Sequence, residues 1–436
     1  PGPSTGPGGP GVLAVPGVLG SRASWRSLAR LPPAVGSPRL ESVNPPAERV
    51  DLRRSGFGAP EEPWGARPPG GRSGQEGQTA RIDAIFRMVK EQGASDLHIS
   101  TGSVPMLRLH GDLFPVAHPE LSGDQARRLL LEMMTEEQRE HFERDRDIDF
   151  AYELPGELRV RCNVFEQLRG IAGAFRLLPT QIFSLEELGL PEQIARFADL
   201  SKGLVVVTGP PGSGKSSTLA ALLHHINQRQ RRHIITIEDP VEFVHKNARC
   251  LINHREIGVS AVSFASALRA ALREDPDIIL VGEMRDLETM QLAITAAETG
   301  QLVLGTLHTA SAAQTVDRII DAFTEEKQAQ IRVMLAESLR GVVAQRLVRR
   351  ADGEGRVAAV EILISTTAIS SLVRERKTFQ IPTLMQTGKK DGMQLLDAHL
   401  MQLVKDGTVR AEDAVVQAQV KEPFLALLAP KPRLAA

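Results

Sequence analysis

Hydrophobic positions follow two different patterns along the chain, and the first pattern mixes helical and alternating spacing. Apolar residues recur at helical spacing between residues 82 and 89, with Gly93 as a stop signal, and again across residues 122–143. Shorter alternating runs predict strands at residues 106–110, 159–165 and 171–177. Together these elements predict a small α+β domain over residues 80–178.

The second pattern consists of four runs that are almost wholly apolar, each followed by a segment that is compatible with a helix. The runs occupy residues 204–208, 233–237, 277–281 and 302–306. Continuous Val, Ile and Leu runs that alternate with helices are typical of a parallel sheet covered on both faces. The pattern therefore predicts an α/β domain over residues 184–350, and residues 351–424 are expected to be mainly helical.

Both ends of the chain lack such patterns. Residues 1–78 are rich in Pro, Gly, Ser and Arg and show no sustained apolar periodicity, so they cannot bury enough apolar surface to offset the entropy of ordering. We expect a disordered tail there and a second, short tail at residues 425–436. No stretch approaches about 18 consecutive apolar residues, so no transmembrane helix is expected.

Composition excludes several classes of protein. Lys and Arg number 52 and Asp and Glu number 53, which gives a formal net charge of −1, unlike a basic nucleic-acid-binding protein. No nucleic-acid partner is therefore expected. The two cysteines, Cys162 and Cys250, lie far apart without a CxxC spacing, which excludes a disulfide framework and a cysteine-based zinc knuckle.

The strongest motif is Gly209-Pro-Pro-Gly-Ser-Gly-Lys-Ser216, which fits G-x-x-x-x-G-K-[ST] and directly follows the first apolar run. Glycines let backbone N–H groups surround phosphates, Lys215 reaches the β- and γ-phosphates, and the Ser216 hydroxyl completes a Mg²⁺ shell. We therefore predict ATP and Mg²⁺ as cofactors. The residues predicted to bind the nucleotide are Gly209, Pro210, Pro211, Gly212, Ser213, Gly214, Lys215, Ser216 and Ser217.

Acids and a histidine follow the other three apolar runs, at the edge where a parallel sheet places its ligand. Glu242 follows the second run, Glu283 the third and His308 the fourth. Carboxylates there can orient water or hold Mg²⁺, so both are catalytic candidates and Glu283, with Ser216, is a metal candidate. His308 is a third catalytic candidate, because an imidazole there can sense a γ-phosphate. The alternatives are solvated strand-end acids and a purely structural histidine.

Four segments in one order resemble the secretion ATPase superfamily, and specifically its PilT-type pilus retraction ATPases. Residues 209–216 resemble the Walker A loop, 237–245 the aspartate box, 275–286 the atypical Walker B and 296–309 the histidine box. The resemblance covers about residues 80–420. It implies a RecA-like P-loop ATPase core with a parallel sheet, preceded by a small α+β, PAS-like N-terminal domain and followed by a helical C-terminal region.

The resemblance also implies an assembly and roles for particular residues. It implies a homohexamer in which each N-terminal domain packs on the neighbouring ATPase domain and delivers Arg161 and Arg176 to the nucleotide. Glu242 would be the general base, and Glu283 would act through Mg²⁺ and water. The implied partners are an inner-membrane pilus platform protein and a paralogous pilus ATPase, with the ring cytoplasmic and peripheral at the inner membrane.

The branch of the superfamily follows from what the chain has and lacks. Residues 368–375 resemble the retraction signature AIRNLIRE, but Ser370 replaces its Arg and Ser371 its Asn. We expect neither the larger N-terminal extension nor the four-cysteine insert that assembly ATPases usually carry. We therefore expect a motor for type IV pilus retraction, or twitching motility. The alternatives are a pilus assembly or type II secretion ATPase, and a non-hydrolysing nucleotide-binding subunit of a paralogous motor.

Overall fold

The structure is a computed structural model, and it describes residues 81–109 and 111–428. The predicted disordered tail at residues 1–78 lies outside the described residues. The second predicted tail, at residues 425–436, begins inside a final helix, Glu422–Leu428, and its remainder lies outside the described residues.

The N-terminal domain, residues 81–178, is an antiparallel sheet with helices packed on one face. Its elements are α1 (Arg81–Glu91), β1 (Asp96–Ser100), β2 (Met106–Leu109), β3 (Asp112–Pro115), α2 (Gly123–Leu131), α3 (Glu136–Asp145), β4 (Asp147–Leu154), β5 (Leu158–Gln167) and β6 (Gly170–Leu178). The sheet order is β3-β2-β1-β6-β5-β4. Leu158, Val160, Cys162 and Val164 of β5 are buried against the helices, so the alternate residues of that strand lie on the opposite face.

The prediction of one continuous helix over residues 122–143 is wrong, because two helices occupy that segment. The Ser122 side chain caps α2, and the Thr135 side chain caps α3. Each cap is reciprocal: the Thr135 hydroxyl accepts from the Gln138 N–H, and the Gln138 side chain accepts from the Thr135 N–H. This capping box starts a new helix where hydrophobic periodicity alone predicted continuation.

The second domain, which we call the parallel-sheet domain, contains seven strands. They are β7 (Gly203–Thr208), β8 (His233–Glu238), β9 (Leu251–Glu256), β10 (Ile278–Val281), β11 (Leu302–Leu307), β12 (Leu339–Arg349) and β13 (Arg356–Ile364). The sheet order is β13-β12-β7-β11-β10-β8-β9, and every pairing is parallel except that of β12 with β13. The four predicted apolar runs are β7, β8, β10 and β11, which confirms the α/β class.

Helices connect these strands and cover the sheet. They are α4 (Lys215–Arg229), α5 (Phe264–Ala271), α6 (Leu287–Thr299), α7 (Ala312–Asp321) and α8 (Glu325–Ser338). After β13 come α9 (Thr367–Arg374), α10 (Ile381–Thr387), α11 (Leu396–Lys405), α12 (Ala411–Gln417) and α13 (Glu422–Leu428). Within residues 81–109 and 111–428, no helix combines the length and the apolarity needed to cross a bilayer.

The segment expected to be mainly helical after residue 350 also contains a strand. β13 pairs antiparallel with β12: Arg356 lies opposite Arg349 at one end of the ladder, and Ile364 lies opposite Gly341 at the other. The sheet therefore continues past the expected boundary. Seven of the nine residues of β13 are buried, which is the environment of an internal layer of the domain. Helices α9 to α13 follow this strand.

Parallel pairing brings the carboxyl ends of four strands to one edge of the sheet. β7 ends at Thr208, β8 at Glu238, β10 at Val281 and β11 at Leu307. The phosphate-loop motif and the predicted acids and histidine come directly after these ends. The fold therefore places them at the same edge.

Candidate active site

The phosphate loop, residues 209–216, leads from β7 into α4. Gly209, Gly212 and Gly214 have φ values of 145°, 74° and 88°, which residues with a Cβ rarely adopt. A Cβ on Gly209 would lie 2.3 Å from the main-chain oxygen of Gln345, so this glycine is also required by close packing. The loop can therefore bend tightly around a ligand with its N–H groups facing inward.

The Lys215 side chain folds back into the phosphate loop to which it belongs. Its Nζ donates to the carbonyl oxygens of Gly209 (3.0 Å) and Pro210 (3.2 Å) and lies 3.4 Å from Nδ1 of His308. Burial lowers the pKa of Lys215, and the charges of Glu283 and Glu242 act in the opposite direction. The ammonium group therefore sits within the electrostatic reach of both predicted catalytic acids.

The start of α4 has the properties of a phosphate site. Gly214 caps it without any side-chain hydrogen bond, and its first turn contains no acid. In contrast, side chains of Ser263, Asp286 and Ser311 cap α5, α6 and α7. The Ser213 hydroxyl is buried without a hydrogen-bond partner in the described part of the chain. Free N–H groups, a positive helix end and a buried hydroxyl fit the phosphates of ATP.

Glu283 contacts both His308 and Arg285 beside Lys215. Oε1 of Glu283 lies 2.8 Å from Nε2 of His308 and 2.7 Å from Nε of Arg285. Burial acts to raise the pKa of Glu283, but the hydrogen bond from Arg285 and the interaction with His308 outweigh it, so the pKa falls below its ordinary value. Glu283 is thus an ionised carboxylate, a suitable group to hold Mg²⁺ through water, with Ser216 at the start of α4.

Hydroxyl groups hold the histidine segment against the end of β7. The Thr309 N–H donates to Oγ1 of Thr208 (2.8 Å), and the hydroxyls of these two residues are 2.7 Å apart. Thr309 Oγ1 in turn lies 2.7 Å from Oγ1 of Thr315 in α7. This chain fixes the backbone next to His308, so the imidazole is held between Lys215 and Glu283.

Glu242 differs from Glu283 because its carboxylate is unengaged. It lies in the loop of residues 239–250 after β8 and is half-buried. Its N–H donates to Glu238 Oε2 at 3.4 Å, but no group in the described ranges donates a hydrogen bond to its own carboxylate. A carboxylate that is close to Lys215 and free of protein donors can accept a proton from water.

Glu238 is a second acid in the same place, at the end of β8. It is 8% exposed, and burial raises its pKa to about 7, against the hydrogen bonds that it accepts from the Thr236 hydroxyl and the Glu242 N–H. The adjacent Asp239 is exposed. Glu238 therefore holds a proton at slightly acid pH and supports the backbone of Glu242.

The structure does not bring Arg161 and Arg176 to the phosphate loop. They are cross-strand neighbours on β5 and β6, on the sheet face opposite the helices. Arg176 pairs with Asp96 at 2.8 Å, and neither arginine makes a hydrogen bond or ion pair to the parallel-sheet domain within the described residues. Lys215, Glu242, Glu283 and His308 lie together, whereas the role of the two arginines stays a prediction.

Gln345 of β12 supports the phosphate loop and was missed by sequence reasoning. Its Nε2 donates to the Ser213 carbonyl, and its Oε1 accepts from the Thr218 hydroxyl, both at 2.7 Å and both buried. A Cβ on Gly214 would lie 2.8 Å from the same Nε2. The only signal in the sequence was the requirement for glycine at the loop, which does not identify the residue that approaches it.

Comparison with known proteins agrees with this geometry. A family model described as "Type II/IV secretion system protein" matches residues 74–422. The chain is 51% identical over 343 residues to the type IV pilus retraction ATPase PilT of Pseudomonas aeruginosa, covering 79% of this chain and 99% of PilT. It is 49% identical over 318 residues to a twitching motility protein of Neisseria gonorrhoeae, covering 73% of this chain and 85% of that protein.

A solved structure gives the same result for the fold. The crystal structure of the pilus retraction motor PilT with bound ADP matches with a TM-score of 0.73 and 43% identity, over 78% of this chain and 98% of that chain. The match spans both the N-terminal domain and the parallel-sheet domain. This chain therefore belongs to the type II/IV secretion system protein family.

Proposed function

We propose that this chain is a motor ATPase that couples the hydrolysis of ATP to ADP and phosphate to the retraction of type IV pili. One observation carries the proposal: a phosphate loop and three strand-end side chains meet at one sheet edge, in a chain that aligns with 99% of a pilus retraction ATPase. The loop alone would fit many classes of NTPase. The match to retraction and twitching proteins indicates which work the hydrolysis drives.

The phosphate loop holds the nucleotide. N–H groups of the loop and of the first turn of α4 surround the phosphates, and Lys215 exchanges its two carbonyl partners for phosphate oxygens. Ser216 would hold Mg²⁺ directly and Glu283 would hold it through water. A Mg²⁺ ion held there would supply charge neutralisation for the phosphates.

Glu242 performs the proton transfer, because no group in the described part of the chain donates a hydrogen bond to its carboxylate. It orients the attacking water and accepts its proton. Glu283 keeps His308 oriented through their 2.8 Å contact. The imidazole is therefore placed at the strand ends, where it can sense a γ-phosphate. Arg161 and Arg176 stabilise the charge on the transferring phosphoryl group when an N-terminal domain closes, and such arginines contribute about 10³–10⁵ in rate in other NTPases.

The proposed active form is a homohexamer in which each N-terminal domain packs on the neighbouring parallel-sheet domain. The resemblance to pilus retraction ATPases implies this assembly. The ring would work at the cytoplasmic side of the inner membrane, where it is peripheral. Its partners there would be a platform protein of the pilus and a paralogous pilus ATPase.

The segment that resembles the retraction signature forms α9, and its two serines are satisfied within the chain. The Ser370 hydroxyl donates to the carbonyl of Ala336 in α8 at 2.8 Å, and the Ser371 hydroxyl donates to the carbonyl of Thr367 at 3.0 Å. The signature has a guanidinium at the first of these positions. An assembly or secretion ATPase, or an accessory subunit, is therefore kept as an outcome of the following test.

Deletion and complementation in the source organism test the proposal. Retraction predicts that cells without the protein carry excess pili and do not twitch, that the wild-type gene restores twitching, and that Lys215→Ala does not. Loss of pili or of secretion would indicate an assembly or secretion ATPase instead. Restoration by Lys215→Ala would indicate a subunit that works without hydrolysis, and normal motility of the deletion strain would contradict a role in retraction.

A further inference from the structure

Arg159 lies on the open face of the N-terminal sheet. Its neighbours in β5, Leu158 and Val160, are buried in the core of their own domain, so Arg159 points to the opposite face by the alternation of a strand. Its side chain is only 15% exposed. An arginine on an open sheet face that is this well covered must be covered by something outside its own domain's core.

The cover is the parallel-sheet domain. Nη1 of Arg159 donates to the Val241 carbonyl at 2.7 Å, and Nη2 donates to Glu256 Oε2 at 3.0 Å. The same Oε2 accepts from the Val241 N–H at 3.0 Å. Both polar groups of the Val241 backbone are therefore held by one partly buried ion pair, whose arginine belongs to one domain and whose glutamate belongs to the other.

The held residue immediately precedes Glu242. Because no described group donates a hydrogen bond to the Glu242 carboxylate, its position depends on its backbone. Two contacts fix that backbone: the Glu242 N–H to Glu238 Oε2 at 3.4 Å, and the bonds of Val241 to Arg159 and Glu256. The first contact lies within the parallel-sheet domain, and the second depends on where the N-terminal domain sits.

We propose that Arg159 is a positioning residue for Glu242, through which the orientation of the N-terminal domain sets the rate of hydrolysis in the same chain. This inference rests on the proposed function, since it takes Glu242 to be the general base. When the N-terminal domain sits as described, the Arg159 fork holds Val241 and Glu242 points at the nucleotide. When the domain moves away, the Val241 carbonyl loses a donor, the partly buried Glu256 carboxylate loses its cationic partner, and the loop relaxes.

The geometry explains why arginine is needed. A guanidinium can donate to a carbonyl and to a carboxylate at the same time, from two fixed directions. Lysine has the charge but donates from a single nitrogen, so it can serve both partners only with poorer geometry. The conservative substitution therefore separates the need for charge from the need for the fork.

Steady-state hydrolysis of ATP by the full chain gives the first test. In Arg159→Met, which keeps an apolar stem and removes both donors, we expect kcat to fall about 10–100-fold with KM within about threefold, because the base is misplaced and the phosphate loop is not. Arg159→Lys should lie between Arg159→Met and wild type. Arg159→Met with Glu256→Gln should be no slower than Arg159→Met alone, because both residues act through one contact.

Hydrogen exchange gives a second readout that needs no activity. The amide of Val241 should exchange at least about tenfold faster in Arg159→Met than in wild type, because its acceptor, Glu256, is no longer held. The matched control is Arg144→Met, which removes another arginine of the N-terminal domain, one that is 69% exposed and pairs with the adjacent Asp145. It should change neither the exchange nor kcat.

Each outcome decides the inference. A lower kcat with faster exchange at Val241 in Arg159→Met supports it; if Arg159→Met fails to fold, the same two changes in Arg159→Lys support it. Unchanged exchange, a kcat within twofold of wild type, or a change in KM alone overturns it. If the wild-type chain does not hydrolyse ATP, the proposed function fails, while the exchange result still decides whether Arg159 holds the loop.

Discussion

Replacement of Gln345 by methionine tests whether β12 holds the phosphate loop in its binding conformation. The substitution keeps the length of the side chain and removes two buried hydrogen bonds, each of 2.7 Å, to the Ser213 carbonyl and the Thr218 hydroxyl. A buried polar group left without a partner costs about 1–3 kcal/mol. The Thr218 hydroxyl can turn to a carbonyl of its own helix, so its share lies at the low end. The carbonyl of Ser213 has no such alternative.

The expected total is about 2–4 kcal/mol. In the nucleotide-free variant, the loop can relax away from position 345 and so recover part of this free energy. That part is then lost from the free energy of nucleotide binding. If about half is recovered in this way, about 1–2 kcal/mol, the Kd for nucleotide rises roughly 5- to 30-fold, since 1.4 kcal/mol corresponds to a factor of ten. The remainder lowers the apparent melting temperature of the chain.

The assay is titration of a fluorescent ADP analogue into the full-length chain, with a thermal scan of the same preparation. Thr218→Val is the partner variant. Combined with Gln345→Met, it should cost less free energy than the sum of the two single changes, because the double variant no longer has an unpaired hydroxyl at position 218. Gln402→Met, at an exposed position of α11, is the control and should change neither value. A folded Gln345→Met chain with a Kd within twofold of wild type would refute the role of Gln345.

Two further predictions concern Glu238 and Ser370. Burial raises the pKa of Glu238 to about 7, from the ordinary value of 4.5 that this carboxyl has in the unfolded chain. Its contribution to the free energy of unfolding is therefore complete below pH 4.5 and is lost as the pH rises through 7. Glu238→Gln removes this pH-dependent loss. In urea unfolding, the free energy of unfolding of the variant should therefore rise relative to that of wild type by roughly 3 kcal/mol between pH 4.5 and pH 8, at about 1.4 kcal/mol per pKa unit. A difference that does not change with pH would contradict the raised pKa. Ser370→Arg removes the bond to Ala336, so the apparent melting temperature should fall by a few degrees, for about 1 kcal/mol lost. An unchanged melting temperature would show that this bond contributes nothing to the fold.

Much of the site could be predicted from sequence because its elements come from strands that are buried on both faces. Such strands are continuous apolar runs, and parallel pairing forces their carboxyl ends to one edge, so the residues that follow them must lie together. Lys215, Glu242, Glu283 and His308 all belong to this group. The loop that contains Lys215 also has a fixed spacing, which its phosphate chemistry requires.

Other parts of the fold depend on contacts that no local pattern records. β9 contains Asn, His, Arg and Glu, and it is a strand because β8 offers it a parallel edge. β12 has three Val but also three Arg, two Leu, one Ala and one Gln, which suit a helix, and pairing with β7 and β13 decides its structure. In contrast, the break between α2 and α3 could have been predicted from the sequence, because Thr135 and Gln138 have the spacing of a capping box.

Gln345 and Arg159 support the site from other parts of the fold. Local sequence patterns could not identify either of them, because their roles depend on tertiary contacts. Gln345 lies 132 residues after Ser213, and only the sheet order brings β12 next to the loop. The alternation of β5 could place Arg159 on the open face of its sheet. It could not show that the other domain meets that face, because the domain orientation is set by tertiary contacts.

Release of inorganic phosphate by the purified full-length chain tests the central claim most directly, that ATP is cleaved at the edge where Lys215 and Glu242 meet. We predict steady turnover by wild type, none above background by Lys215→Ala, and nucleotide binding of wild-type strength with release slowed at least about 10²-fold in Glu242→Gln. Equal release by wild type and Lys215→Ala would contradict the account.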